Sequence, residues 1–176
     1  MATTTTATTT SRARAVLRPA VLLPLGVLVA LVMVVPVRHD GATAPIDYRE
    51  SLAGARARAP YHVLAPQNLP AGWVATRAAY DPDADGVATW HLGFVTPTGR
   101  FAGVAQRSGS SKSFEVQQSN RGAPDGEMTL DGEPWRRLYR RTRDIHSLVR
   151  VSDGVTTVVS GNTTYDELAV LVRSLR

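Results

Sequence analysis

Hydrophobic positions along this chain follow three rhythms. From Pro19 to Val37 they are continuous: PAVLLPLGVLVALVMVVPV carries no charged residue between Arg18 and Arg38. Built as a helix, the run is roughly 28 Å long, close to the hydrocarbon thickness of a bilayer, and it predicts a membrane span. Pro24 and Pro36 do not prevent this, because proline is tolerated in transmembrane helices. Further on the rhythm shortens to alternation. Trp73 to Tyr80, Ala88 to Thr96 and Phe101 to Arg107 are rich in aromatic and β-branched residues and are separated by Asp-Pro-Asp-Ala-Asp-Gly and Thr-Pro-Thr-Gly, so each predicts a strand. In the second, Trp90, Leu92 and Phe94 share one face, with His91, Gly93 and Val95 on the other. Met128 to Leu130, Trp135 to Arg141, Ser147 to Ser152 and Val155 to Ser160 predict four more strands, the last two joined by the tight-turn pair Asp153-Gly154.

Helical spacing is the third rhythm. Tyr48, Leu52, Ala55 and Ala59 form a narrow stripe over a helix from Tyr48 to Ala59, which opens on a capping box of Asp47 and Glu50 and stops at Pro60. That stripe is expected to pack on the folded domain. Phe114 to Asn120 predicts a short helix. At the C-terminal end Thr164 and Glu167 form a second capping box, followed by Leu168, Leu171, Val172 and Leu175 at i, i+3, i+4 and i+7. A weak internal repeat runs turn, apolar strand, polar segment and helix-opening aromatic, from Gly99 to Phe114 and again from Gly154 to Tyr165. Together these patterns predict an α+β fold, with an N-terminal transmembrane helix followed by a small domain built of an antiparallel sheet and one or two helices packed on one face. The expected organisation is a disordered cytoplasmic tail over 1–15, a membrane anchor over 16–38, a linker and juxtamembrane helix over 39–59, and an extracytoplasmic α+β domain over 60–176.

Charge changes the picture by giving the span a direction. Arg12, Arg14 and Arg18 precede it with no acid among them, so the positive-inside bias places the N-terminus in the cytoplasm and the C-terminal domain across the membrane. A cleaved signal peptide is the alternative, since Ala42-Thr43-Ala44 has the small-x-small form, but Pro45 directly after the cut disfavours it. The formal charge of +5 overstates the domain's basicity: four arginines flank the anchor, which leaves the rest near +1, and no nucleic-acid partner is expected. The chain has no cysteine, hence no disulfide, no thiolate metal site and no lipidated cysteine.

Two constellations carry candidate chemistry. Asp81, Asp83 and Asp85 before Gly86 resemble the opening of a calcium loop, where alternating carboxylates wrap a hard cation; the twelfth position, however, is Leu92 rather than a bidentate acid. The competing reading is a solvated acidic hairpin loop, and no metal or cofactor is assigned. Trp135 to Arg143 holds five arginines in nine positions. On a strand, Trp135, Arg137, Tyr139 and Arg141 share one face and make a candidate interaction surface for an anionic partner, against the plainer reading of a face paired with neighbouring acids. Among enzyme signatures, no Gly-x-Ser-x-Gly, Ser-x-x-Lys, His-Glu-x-x-His or P-loop occurs, and His39, His62, His91 and His146 lie far apart. The chain is therefore not expected to be an enzyme.

Several motifs carry a resemblance: Pro60-Tyr61-His62-Val63-Leu64-Ala65-Pro66, Leu69-Pro70-Ala71-Gly72-Trp73, Trp90-His91-Leu92-Gly93-Phe94-Val95-Thr96-Pro97 with Gln106, and Thr157-Val158-Val159-Ser160-Gly161 leading to Glu167-Leu168 and Ser174-Leu175. Through these the chain resembles the actinobacterial family catalogued as domain of unknown function 4245, from the anchor to the C-terminus. The resemblance implies a single-span envelope protein with a small extracytoplasmic domain and no assigned activity, and it supplies no functional residues. The function expected is binding or scaffolding in the bacterial cell envelope, with the lipid bilayer engaged through residues 19–37 and an envelope protein or anionic envelope component as partner. The alternatives are a small-molecule or lipid-binding domain with a sheet-helix cavity, and then an envelope enzyme without a recognisable motif.

Overall fold

The computed structural model describes residues 44–176. The tail, the predicted span over 19–37 and the first residues of the linker lie outside the described residues. Among the described residues no helix is long and apolar enough to cross a membrane.

The described chain runs α1 (Arg49–Arg58), β1 (Val74–Pro82), β2 (Ala88–Val95), β3 (Phe101–Ser108), α2 (Lys112–Gln118), β4 (Ala123–Leu130), β5 (Glu133–Arg140), a single 3₁₀ turn (Arg141–Arg143), β6 (Ile145–Ser152), β7 (Val155–Gly161) and α3 (Tyr165–Ser174). The seven strands form one sheet in the order β1-β2-β3-β7-β6-β5-β4, antiparallel throughout. The fold is α+β with three helices among the described residues. Its middle is the pairing of β3 with β7, which sets Val104 opposite Val159 and Ala105 opposite Val158.

Alternation divides the strands between two faces as the sequence indicates. Trp90, Leu92, Phe94, Ala102, Val104, Trp135, Leu148 and Val159 build the larger core, where they meet Ala55 of α1, Val63 and Ala65 of the segment after it, and Leu168, Leu171 and Val172 of α3. The stripe Tyr48, Leu52, Ala55 and Ala59 packs here, on the domain as expected. Ala105, Leu138, Val149 and Val158 point the other way and form a smaller core with Phe114 of α2. This corrects the layout expected from the internal repeat, because the helices do not share one face: α1 and α3 cover one side and α2 the other. The reason is parity. Phe114 needs an apolar floor, and the residues of β3 and β7 that supply it, Ala105 and Val158, are those the pleat turns away from the larger core.

Local chemistry fixes the ends. Thr164 accepts a hydrogen bond from the Glu167 amide at 3.2 Å and caps α3. The Glu167 carboxylate does not complete the expected box but turns to the hydroxyls of Thr163 and Thr98. At α1 the capping residue is Tyr48, and Asp47 accepts instead from the Arg49 amide at 3.0 Å. Asp153-Gly154 closes the β6–β7 hairpin with φ of 51° and 72°, and Asp131-Gly132, which the alternation alone did not single out, closes β4–β5 with 51° and 83°.

The segment after α1 crosses the larger core in extended form. There the Trp90 indole donates to the Leu64 carbonyl at 3.0 Å, and the Leu64 amide donates to Gln106 Oε1 at 2.7 Å. Gln106 is 2 % exposed; its side-chain nitrogen donates to the Thr157 hydroxyl at 3.2 Å, and its backbone carbonyl accepts from the Tyr61 hydroxyl at 2.8 Å. The next residues pair with the end of the chain, Ala65 and Arg176 exchanging both backbone hydrogen bonds. Gln106→Leu keeps the volume but strands the Leu64 amide, so the substitution is expected to cost about 2–4 kcal/mol, read as a lower urea midpoint with an unchanged slope.

Candidate functional site

The acidic loop between β1 and β2 is organised around an arginine. Asp83 Oδ1 accepts from the amides of Asp85 and Val87 at 2.9 and 3.0 Å, which shapes the turn. Its other oxygen accepts from Arg107 Nη1 on β3 and from the Thr89 hydroxyl. Asp85 Oδ2 accepts from the same guanidinium at 2.9 Å and from Ser113 at 2.9 Å. Asp81 stands apart on β1 opposite Thr89. The position a cation would take between Asp83 and Asp85 is thus filled by Arg107, which also lies over the Phe114 ring at 5.5 Å. Among the described residues no three metal-ligating side chains converge. What the loop does is tie β1–β2, β3 and the start of α2 together through a buried charge pair.

The arginine run is divided by the fold. Trp135 sits 4 % exposed in the larger core. Arg137 donates to Asp125 at 3.0 Å and lies 4.0 Å over the ring of Tyr165, the first residue of α3. The Tyr165 hydroxyl also donates to Asp125 at 2.9 Å, and burial together with that carboxylate pushes its pKa up to about 12. Tyr139 stacks on His146 at 4.4 Å and donates to Asp144 at 3.0 Å. Arg141 leaves the strand in the 3₁₀ turn and is exposed. Of the four candidate interaction residues, Trp135, Arg137 and Tyr139 share a face as the alternation indicates, and α3 comes down beside them. On the opposite face Arg136 pairs with Glu115 of α2 at 2.6 Å. Arg140 of that face and Arg143 of the 3₁₀ turn line, with Arg121 from beyond α2, an open cleft of about 550 Å³. Arg121 lies outside the run, and no spacing in the sequence connects it to the others.

The sheet's two faces are covered unequally. On the α2 side, β1 and β2 carry no helix, and a cleft of about 410 Å³ runs between them and α2 past Arg77, His91, Phe101 and Gln117. Phe101 is half-exposed, its ring resting on Gly93 and Gly103, where a Cβ would come within 3.1 Å of it. Burial first, and Arg77 second, push the His91 imidazole below the usual histidine range. His146 and His91 lie on opposite faces, and His62 belongs to a third opening of about 350 Å³ with Tyr61, Arg150 and Asp153.

The quoted motifs meet one another in space. Gly72, at φ 93°, is held against Pro97, and Trp73 packs edge-on to Phe94 at 6.1 Å; Tyr61, Leu64, Trp90 and Gln106 form the crossing described above. A family model described as protein of unknown function (DUF4245) matches residues 17–175. The chain belongs to that family. No curated protein matches it. The motifs that mark this DUF4245 chain are structural: they hold the crossing segment, the turn before β1 and the hairpin after β2.

Arg107 and Asp83 are both nearly buried, with side chains 9 % and 4 % exposed. Arg107→Met leaves an unpaired carboxylate and is expected to cost about 3–5 kcal/mol in denaturant titration, while millimolar calcium leaves the midpoint of the unsubstituted protein unchanged. Hydrogen bonds from Arg107 and Ser113 hold Asp85 below the usual carboxylate range. Its contribution is therefore fully present above the ordinary carboxylate pKa near 4 and fades as pH falls through the lower folded value. Asp85→Asn is expected to flatten the acid limb of a Tm-versus-pH curve.

Proposed function

We propose that this DUF4245 protein is a single-span membrane protein whose C-terminal domain lies outside the cytoplasmic membrane and works as a binding or scaffolding module of the bacterial envelope. The charge-free run over 19–37 with arginines before it supports the tether and its direction. The observation that carries the binding role is the asymmetry of the sheet. One face is covered by two helices, α1 and α3, with the crossing segment between sheet and solvent, and its openings are about 350 and 210 Å³, whereas the other keeps a half-exposed aromatic ring, wider clefts of about 410 and 550 Å³ and a single short helix. A protein that needed the sheet only as a scaffold for its own core has no use for that exposure.

The alternative, a small-molecule or lipid cavity between sheet and helices, is supported by one opening of about 210 Å³ rimmed by Leu130, Trp135, Val172 and Leu175. Ligand pockets usually hold about 300–1,000 Å³, so the open face is the better candidate.

An alkaline phosphatase fused after Arg176 is expected to be active, and the protein is expected to stay with membranes through a high-salt wash. A photo-crosslinking side chain at Phe101 is expected to capture envelope neighbours that the same group at Glu50, on α1, does not. A cytoplasmic reporter signal, release by salt or identical capture from both positions counts against the proposal.

A further inference from the structure

The cleft beside the C-terminal end of α2 gathers charge that the fold does not use. Arg121 follows α2, Arg140 ends β5, and Arg143 belongs to the 3₁₀ turn; together with Gln117 and Asn120 they line an opening of about 550 Å³. No carboxylate lines it. Seven other basic residues, Arg49, Arg107, Lys112, Arg136, Arg137, Arg150 and Arg173, form ion pairs with Asp or Glu, and among the described residues none of these pairs involves Arg121, Arg140 or Arg143.

The arginines are not needed to satisfy the helix end. Backbone amides already do so, Ser119 donating to Glu115, Asn120 to Gln117 and Arg121 to Val116 at 2.9, 3.1 and 2.7 Å. Nor do they all extend freely into water. The Nε of Arg140 is buried and has no hydrogen-bond partner. A buried, unpaired guanidinium donor costs free energy unless an acceptor meets it, and its cleft supplies two further guanidinium groups and no acid. Like charges that line one cleft without a counter-charge repel one another, and an anion placed among them relieves that repulsion.

The geometry points to an anion site, and the chemistry of its donors points to phosphate. Guanidinium forks bind phosphate oxygens bidentately, and a tetrahedral group offers enough acceptors for three arginines where a single carboxylate does not. We infer that Arg121, Arg140 and Arg143 hold the phosphate group of an anionic envelope component. This deepens the binding role proposed above and rests on it for the compartment; the phosphate contact itself is independent of the side of the membrane on which the domain lies.

The test uses the full chain in an uncharged detergent micelle. Inorganic pyrophosphate, and separately dihexanoyl phosphatidylglycerol against dihexanoyl phosphatidylcholine, are titrated while the arginine Nε–Hε signals are followed by NMR. Saturable binding is expected, with the Arg140 signal shifting. Arg140→Ala and, independently, the exposed-turn variant Arg143→Ala are each expected to weaken it about 10-fold or more, roughly the loss of one charge-assisted hydrogen bond, while Arg49→Ala, which removes the same charge far from the cleft, does not. Binding of pyrophosphate and of the glycerol lipid alike assigns a headgroup source; pyrophosphate alone assigns a lipid-free phosphate. No saturation with either probe, or equal affinity in Arg140→Ala, Arg143→Ala and Arg49→Ala, overturns the site. Because micelle binding does not report topology, its failure and a failure of the reporter fusion are separate results.

Discussion

A main chain that crosses an apolar sheet face carries its own N–H and C=O groups into a layer with nothing to offer them, and at Leu64 both are met by side chains. Trp90 supplies the donor and Gln106 the acceptor, each from within the larger core. The bonds are worth little net, but leaving either group unmet inside the core costs several times more, so the crossing is held in one register. That register decides much else. It places Ala65 beside Arg176 and fixes the end of α3, and it leaves α1 and α3 on either side of a central strap. Gly161 belongs to the same constraint, since a Cβ there would collide with the Phe101 carbonyl and prise β7 from β3.

Charge is spent in two ways. Arg107, Arg136 and Arg137 are internal fasteners: through a carboxylate, Arg107 joins β3 to the β1–β2 loop, Arg136 joins β5 to α2 and Arg137 joins β5 to β4, and Arg107 and Arg137 also cover an aromatic ring. Such pairs stabilise mainly by making their loss expensive, which suits connections between elements rather than the core itself. The arginines at the cleft beyond α2 have no such partner. Near-neutral net charge in the domain therefore conceals an uneven distribution, acids and bases cancelling where elements meet and bases standing alone at one edge of α2.

The two faces of the sheet follow from the same arithmetic of residues. Only a handful of small or apolar side chains, Ala105, Leu138, Val149 and Val158, point away from the larger core, enough to seat one short helix. The outer strands β1 and β2 present Arg77, Gly93 and His91 on that side, a surface too polar and too flat to hold a second helix. Exposure of that half-face is thus written into the strand sequences, and the ring of Phe101 occupies the space that two glycines leave.

Most of the elements were legible from periodicity. All seven strands and all three helices of the described residues were anticipated, with β4 underestimated because Pro124, Asp125 and Gly126 at its start, where the pairing shifts register, read as loop. The chain's membership of DUF4245 was likewise legible, because its motifs are short, contiguous and dense in turn and aromatic residues. Pairing order, the side on which α2 packs, the capture of Asp83 and Asp85 by Arg107, and the meeting of Arg121 with Arg140 and Arg143 were not. Whatever is periodic or local could be read along the chain: the strands, the Thr164 cap, the Asp153-Gly154 turn and the charge-free run near the N-terminus. Which charges are neutralised and which stand free emerged with the packed fold alone, because pairs such as Arg107–Asp83 and Arg136–Glu115 join residues more than about twenty positions apart, and no spacing along a chain encodes that meeting.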